Sequence, residues 1–218
     1  MEDQVRDLTI GVLGGTGPLG KGLARRWVAA GLRVVVGSRD AARAATAAAD
    51  VGGGATGAEN ADCARAADVV VVAVPWDGHG PTLKSVAEAC TGKLVVDVVN
   101  PVGFDGRGPF GLDVPEGSAA QQAQAMLPGA RVTAAFHHVS AVLLNDPEVT
   151  DIPLDVLVLG EDRADTDLAR ALADVIPGMR GVYGGRLRNA GQVEGLTANL
   201  IAINRRYKTH SGIRVTGI

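Results

Sequence analysis

Aromatic side chains, cysteines and net charge are all scarce in this sequence of 218 residues. Aromatics make up 3% of the chain, the formal net charge is −3, and there are two cysteines, Cys63 and Cys90. A slightly acidic chain lacks the basic excess with which nucleic-acid-binding proteins neutralise phosphates. The two cysteines are too far apart for a CxxC motif or a metal-ligand pair, so we expect reduced thiols and no metal site.

Long hydrophobic segments are missing as well. No stretch reaches the roughly 18 apolar residues that suggest a membrane span. Residues 1–4, Met-Glu-Asp-Gln, are acidic and do not begin the apolar run of a signal peptide. We therefore expect a cytoplasmic protein without a membrane or nucleic-acid partner.

Glycine, by contrast, is abundant, with 30 residues, and its clearest use is a turn with the pattern G-x-G-x-x-G. The residues of this turn are Gly15, Thr16, Gly17, Pro18, Leu19 and Gly20. A predicted strand precedes the turn and a predicted helix follows it, and this context makes the pattern specific for dinucleotides. The glycines allow a tight turn, a close approach of backbone N–H groups to a diphosphate, and close packing of the helix on the strand. The diphosphate would lie at the helix N-terminus; the alternative is an ordinary glycine-rich turn.

The end of the second predicted strand indicates which dinucleotide is bound. NAD-binding proteins place an acid there, about 20 residues after the glycines, to bind the ribose 2′-hydroxyl. Ser38 and Arg39 occupy that place, and Arg43 follows one helical turn later. A hydroxyl and guanidinium groups can bind the 2′-phosphate of NADP through charge-assisted hydrogen bonds of roughly 1.5–3 kcal/mol each. The alternatives are a solvated basic face for the arginines and, for Asp40, either a repulsive acid or the N-cap of the next helix.

Strands and helices alternate along the chain. Strands are predicted over residues 8–13, 31–37, 67–75, 93–99, 131–136, 155–160 and 180–183, and helices over 18–30, 41–49, 60–66, 81–89, 118–127, 165–176 and 189–206. The stretch 103–117 is rich in glycine and proline and is predicted to be a loop. This alternation is typical of an α/β fold, a doubly wound Rossmann-type parallel sheet. We assign residues 1–140 to an NADP-binding Rossmann domain and 141–218 to a smaller C-terminal α/β extension that completes the cleft.

Candidate ligand-binding residues stand at the ends of three predicted strands, where ligands of such sheets lie. They are Val74, Pro75 and Trp76, then Asn100 and Pro101, then His137 and His138. Asn100 could bind a ribose hydroxyl or a carboxamide, or could be an ordinary turn residue before proline. The histidine pair could be functional or could be hydrogen-bonded structural residues.

Five segments spread over nearly the whole chain belong to one pattern: residues 14–24, 35–39, 74–76, His137 and 211–213. Together they resemble the NADPH-dependent coenzyme F420 reductases, the F420H2:NADP oxidoreductases. The resemblance implies that Thr16, Gly17, Pro18 and Leu19 bind the diphosphate, that Ser38, Arg39 and Arg43 bind the 2′-phosphate, and that Val74, Asn100 and Ala141 border the nicotinamide. It also implies a deazaflavin over the nicotinamide, near Val139 and Ser211.

The activity that the resemblance implies is direct hydride transfer between NADP(H) and coenzyme F420, an 8-hydroxy-5-deazaflavin. This chemistry requires two rings stacked at roughly 3–3.5 Å with water excluded, so we assign no catalytic acid, base or metal. One alternative is an NADP(H)-dependent reductase of another small substrate, such as an imine, which would need a large helical C-terminal domain. The other is a non-catalytic NADP(H)-sensing module.

Two features of the C-terminal part suggest further contacts. The apolar stripe Leu196, Leu200 and Ile203 on the last predicted helix favours a homodimer. The anionic tail of the deazaflavin would need a positive patch, and the available cations are Arg186, Arg188, Arg205, Arg206 and Lys208. The alternative for these cations is a solvated surface at a helix end.

Overall fold

A central sheet of eight strands organises the structure, a computed structural model that describes residues 5–218. The strands are β1 (Thr9–Leu13), β2 (Arg33–Ser38), β3 (Thr56–Glu59), β4 (Val69–Val72), β5 (Leu94–Asp97), β8 (Arg131–Ala134), β9 (Leu154–Gly160) and β10 (Met179–Gly185), and a separate hairpin is formed by β6 (Val102–Asp105) and β7 (Gly108–Gly111). Their order across the sheet is β10-β9-β8-β5-β4-β1-β2-β3. β9 is antiparallel to β8, and β10 is parallel to β9; the other pairs are parallel.

Helices cover both faces of the sheet. They are α1 (Pro18–Ala29), α2 (Ala41–Val51), α3 (Asn60–Ala66), α4 (Trp76–Val86), α5 (Ala119–Met126), α6 (Ala141–Asn145), α7 (Arg163–Asp174) and α8 (Ala190–Tyr207). Side chains of α1, α2 and α7 share one apolar core, and those of α3, α4, α5 and α8 share the other. None of the described helices has the length and apolarity that would be needed to span a bilayer.

The central strands of the sheet are buried on both faces. β4 is four consecutive valines, all buried, as expected for a strand covered by helices on either side. On one face Trp27 of α1 packs edge-on against Phe136, with ring centroids 5.7 Å apart, and its indole N–H donates to the Leu172 carbonyl of α7 at 2.8 Å. The two helices are thereby held together on this face of the sheet.

The predicted doubly wound α/β fold is confirmed, and two local predictions need correction. The stretch expected to be a loop contains the β6–β7 hairpin, closed by a bond from Leu112 N–H to the Pro101 carbonyl at 2.9 Å. Helix α4 begins at Trp76 rather than at Pro81. Pro81 therefore lies inside the helix, where its missing N–H removes one intrahelical hydrogen bond. The packing of the rest of the helix compensates for this loss. The short elements β3 and α6 were not predicted.

Two expectations are left open. What the sequence suggested for residues 1–4 lies outside the described part of the chain. The division into residues 1–140 and 141–218 stays a prediction. β9 and β10 do extend the same sheet as the strands before them.

Candidate dinucleotide and nicotinamide site

The glycine turn between β1 and α1 has the shape that a diphosphate requires. The positive φ of +73° belongs to Gly14, one residue before the predicted pattern begins. A Cβ on Gly15 would lie 2.9 Å from the Val12 carbonyl oxygen, and one on Gly20 would lie 2.9 Å from that of Gly14, so both positions are closed to side chains. A Cβ on Gly17 would meet only the Gly14 oxygen, at 3.3 Å. Protein packing therefore leaves Gly17 nearly free, as a backbone that faces a ligand would be.

The N-terminus of α1 is open to an anion. Its N-cap residue, Gly17, supplies no side-chain hydrogen bond, and Pro18 occupies the first turn. The first N–H groups of a helix lack intrahelical partners and carry the positive end of the helix dipole. Leu19 and Gly20 therefore present their backbone N–H groups where a diphosphate can bind.

One cleft of about 690 Å³ connects this turn with the predicted 2′-phosphate-binding residues and with the end of β4. Its lining is Gly14, Thr16, Gly17, Ser38, Arg39, Arg43, Asn60, Val74, Pro75, Asp77, Gly78, Pro81, Thr82 and Ser85. Ser38 is buried at the end of β2, whereas Arg39 and Arg43 are exposed to solvent. The cleft thus runs from the guanidinium groups of Arg39 and Arg43 past the glycine turn to the end of β4.

Asp40, an acid that could repel the 2′-phosphate of NADP, is confirmed as the N-cap of α2. Its Oδ1 accepts the backbone N–H of Arg43 at 2.8 Å, and its own N–H donates to Ser38 Oγ at 3.4 Å. The carboxylate is therefore engaged with the start of the helix.

Asn60 lines the same cleft and was not singled out from the sequence. It begins α3 directly after β3, is buried, and has no hydrogen-bond partner for its Oδ1 within the described structure. A buried amide oxygen without a partner is costly. The only sequence signal was a polar residue at the start of a short helix, next to a strand that was itself missed.

The turns after β5 and β8 meet at one carbonyl group. Asn100 Nδ2 donates to the His137 carbonyl oxygen at 2.7 Å, and Thr197 Oγ1 of α8 donates to the same oxygen at 3.0 Å. Asn100 Oδ1 and both ring nitrogens of His137 are buried without a partner in the residues described. Pro101 and Val139 are buried beside them. The structure thus brings Asn100, Pro101, His137 and Val139 together, although none of these four is among the residues that line the large cleft.

His137 and His138 are neutral at physiological pH. His137 is 2% exposed, and burial lowers its pKa to about 4. His138 is 4% exposed, and burial together with the neighbouring His137 lowers its pKa to about 4 as well. The Leu157 N–H donates to His138 Nε2 at 3.4 Å, which gives His138 a structural contact.

Ala141 lies on the other side of the glycine turn. Helix α6 docks on α1 through Asn145, whose Nδ2 donates to the Pro18 carbonyl at 2.8 Å. Thr16, Pro18 and Ala141 line a second cavity of about 390 Å³ with Lys21, Arg25, Val142 and Asn145. Helix α6, which the sequence did not predict, therefore places Ala141 next to the diphosphate-binding turn.

The remaining predicted residues lie further along the chain. Ser211 follows α8, where its Oγ donates to Asn204 Oδ1 at 2.7 Å, and it is not among the residues that line the large cleft. The suggested basic cluster is not one cluster, because α8 has 18 residues and separates its two ends by about 27 Å. Arg186 pairs with Glu161 before α8, while the guanidinium of Arg205, in the last turn of α8, lies 5.5 Å from the Phe104 ring centroid.

The fold and this cleft define a Rossmann-type dinucleotide-binding protein. A family model described as coenzyme F420-dependent NADP oxidoreductase matches residues 9–101. The F420-dependent NADP reductase of Methanothermobacter marburgensis is 39% identical over 224 residues, which cover 97% of this chain and 99% of that protein. The chain belongs to the family of coenzyme F420-dependent NADP oxidoreductases.

Solved structures agree with this assignment. A candidate F420-dependent NADP reductase from Arthrobacter sp. FB24 superposes with a TM-score of 0.82 at 25% identity, over 96% of this chain and 100% of that one. An imine reductase from Myxococcus stipitatus superposes with a TM-score of 0.66 at 20% identity, over 93% of this chain but 62% of that one. The second likeness shows the shared fold alone.

Proposed function

We propose that this protein transfers a hydride directly between NADP(H) and coenzyme F420. The observation that carries the proposal is the single cleft in which the glycine turn, the Ser38–Arg39 strand end and Val74–Pro75 meet, in a chain of the F420-dependent family. When bound, the nicotinamide and the deazaflavin supply the hydride donor and acceptor, so the protein needs neither a nucleophile nor a metal.

Each part of the proposed site then has a role in binding the cofactor. The N-terminus of α1 binds the diphosphate, and Ser38, Arg39 and Arg43 bind the 2′-phosphate. Asn100, whose Oδ1 has no partner in the described structure, orients the nicotinamide half. His137 is neutral and contributes shape and hydrogen bonding rather than charge. Apolar Val74, Pro101 and Val139 exclude water.

We assign the C-terminal residues, 141–218, to the deazaflavin side of the site. Support comes from Thr197 of α8, which reaches the His137 carbonyl and so connects this part of the chain to the nicotinamide side. Val139 and Ser211 remain the residues expected near the deazaflavin.

The deciding experiment measures the transfer of deuterium from NADPH to F420. Protein mixed with F420 and NADPH deuterated at C4 should bleach the deazaflavin absorbance band, and mass spectrometry should find the deuterium in reduced F420. A parallel reaction with unlabelled NADPH in D2O should give no label at the transferred position. Label from solvent would contradict direct transfer.

The same assay separates the alternatives. Turnover of NADPH with an imine but not with F420 would indicate a reductase of another small substrate. NADPH binding without turnover of either would indicate a sensing module.

We further propose a cytoplasmic homodimer. Leu200 is buried within the chain, but Ile203 on the same helix is 40% exposed, which leaves part of the α8 stripe available to a second copy. Both described cysteines are buried and unpaired, as in a reducing compartment. Sedimentation equilibrium of the wild type and of an Ile203→Glu variant tests the assembly, and a monomeric wild type would contradict it.

A further inference from the structure

A buried histidine and a buried aspartate form a pair beneath the nicotinamide side of the cleft. His79 of α4 donates from Nε2 to Asp97 Oδ2 at 2.7 Å, and both side chains are 0% exposed. The other ring nitrogen, Nδ1, donates to Gln122 Oε1 of α5 at 2.9 Å. The amide nitrogen of Gln122 is engaged with Glu116 at 3.3 Å, so its oxygen faces the ring.

Two acceptors on one imidazole require two N–H groups and hence an imidazolium. Burial by itself would lower the pKa of His79, but the hydrogen bond and charge of Asp97, with Gln122 of α5 and Glu194 of α8, raise it above its usual value. Glu194 is itself buried and accepts the N–H groups of Ala119 and Ala120 at 2.8 and 3.2 Å. The titratable groups facing His79 are therefore Asp97 and Glu194, and burial raises the pKa of Glu194 to about 7.

The pair is connected directly to the turn that carries Asn100. Asp97 is the last residue of β5, and its Oδ1 accepts the Val99 N–H at 3.1 Å. Asn100 follows and donates to the His137 carbonyl. Both oxygens of Asp97 are thus in use, one fixing the pair and the other fixing the turn.

Sheet stability does not explain this arrangement. The strands on either side of β5 end in buried apolar residues, Val72 and Ala134. Removing two charges from water is expensive, and well-packed apolar residues of similar volume are often as stable as a buried ion pair. A strand end of this sheet therefore has no need of a carboxylate for folding alone.

We propose that His79 and Asp97 are positioning residues for hydride transfer. They fix the turn after β5, so that the buried and unpartnered amide oxygen of Asn100 is held in place for the nicotinamide half of the cofactor. The inference rests on the function proposed above. A small displacement of a reacting ring is costly, because misplacement by about 1 Å can reduce a rate by about 10²-fold.

The test uses His79→Gln, Asp97→Asn and the double variant. Each keeps hydrogen-bonding capacity and removes charge from the pair. We expect kcat to fall by about 10- to 100-fold, with a primary deuterium isotope effect larger than that of the wild type. The NADPH dissociation constant should change by less than about threefold, since the phosphate-binding residues are untouched. The double variant should lose less activity than the product of the two single losses, because the two residues act as one unit.

The matched control is Asp165→Asn. Asp165 is also buried and accepts from Arg131 Nε at 2.9 and 3.0 Å, but Arg131 begins β8 and so lies at the opposite end of the parallel strands from Asp97, which ends β5. Comparable losses of melting temperature in the control and in the pair variants, with kcat reduced only in the latter, would support positioning. Unchanged kcat in folded His79→Gln would overturn it.

A measurement without turnover keeps the proposal testable even if the variants fold poorly. Nitrogen-15 chemical shifts of the ligand-free wild type should show His79 as an imidazolium at pH 7 and His137 as a neutral ring. A neutral His79 would overturn the proposal. A wild type that binds NADPH but does not reduce F420 would instead refute the proposed function, whatever the state of His79.

Discussion

The carboxylate of Asp40 accepts the backbone N–H of Arg43 at 2.8 Å, which fixes the start of α2 beside the end of β2. An acid next to a proposed phosphate site would ordinarily disfavour NADP. Here it stabilises the helix that carries Arg43, so the acid and the two arginines have compatible roles. Discrimination between NADP and NAD should then depend mainly on Arg39 and Arg43.

Arg39→Ala should raise the Michaelis constant for NADPH by about 10- to 150-fold, the loss of one charge-assisted interaction. The constant for NADH should hardly change, because NADH has no 2′-phosphate. Steady-state kinetics with both nucleotides measure this. Arg65→Ala is a suitable control, since Arg65 is exposed and pairs with Asp62 on α3. Equal losses with the two nucleotides would rule out a 2′-phosphate role for Arg39.

Gly17→Ala should weaken NADP(H) and NAD(H) alike without unfolding the protein. The new Cβ would have the Gly14 oxygen at 3.3 Å as its nearest neighbour, and Gly17 has an ordinary φ of −77°. The methyl group would instead occupy the space that a diphosphate needs. Calorimetric binding and thermal unfolding check the two halves of the prediction.

Gly20→Ala is the contrasting variant. Its Cβ would lie 2.9 Å from the Gly14 oxygen and 3.0 Å from the Gly15 Cα, so it should lower stability whether or not a nucleotide is present. If Gly17→Ala behaves like Gly20→Ala, the glycine at 17 serves folding rather than binding.

The parts of the fold that sequence predicted well are those with strong local patterns. Buried apolar strands such as Val69–Val72 and the glycine turn before α1 are specified by neighbouring residues. The β6–β7 hairpin was missed because glycine and proline are poor strand formers, and its position is fixed by packing against α8. Helix α6, with five residues, is too short to show a periodic pattern.

The sequence predicted the site residues at the strand ends, but it did not predict the buried polar residues that pack beneath them. Asn100 and His137 were identified because each ends a recognisable strand. His79 and Asp97 are 18 residues apart, and Glu194 lies on the last helix, so no local pattern connects them. Their relationship exists only once α4, α5 and α8 have packed on β5.

The two strand-end histidines should make the protein less stable in mild acid. Burial lowers both pKa values to about 4, whereas an unfolded histidine titrates near 6.5. Between those pH values the two histidines bind more protons in the unfolded chain than in the native state, so their contribution to the free energy of unfolding falls as the pH falls. Glu194, whose pKa burial raises to about 7, contributes in the opposite sense. At about 1.4 kcal/mol per pKa unit, each histidine accounts for up to about 3 kcal/mol.

Denaturant titrations from pH 7 to 4 measure this effect. A His137→Gln, His138→Gln double variant should lose less stability than the wild type as the pH falls, and His210→Gln, in the exposed C-terminal tail, should behave like the wild type. Asp155, whose pKa is lowered to about 2 by its hydrogen bond to Arg180, contributes mainly below this range. A double variant whose free energy of unfolding depends on pH as in the wild type would show that other groups cause the loss of stability in acid.

The cations at the end of α8 should bind the anionic tail of the deazaflavin if that tail reaches them. Arg205 lies over Phe104, while Arg206 and Lys208 are exposed, so charge reversal at the latter two leaves this ring contact in place. An Arg206→Glu, Lys208→Glu variant should raise the Michaelis constant for F420 and leave that for NADPH unchanged. In the wild type the F420 constant should increase with salt, because exposed charges are screened over about 8–10 Å. Arg188→Glu, at the other end of the helix, is the matched control. Kinetics of F420 that respond to neither charge reversal nor salt would leave the rings and the NADP phosphates as the anchors of the complex.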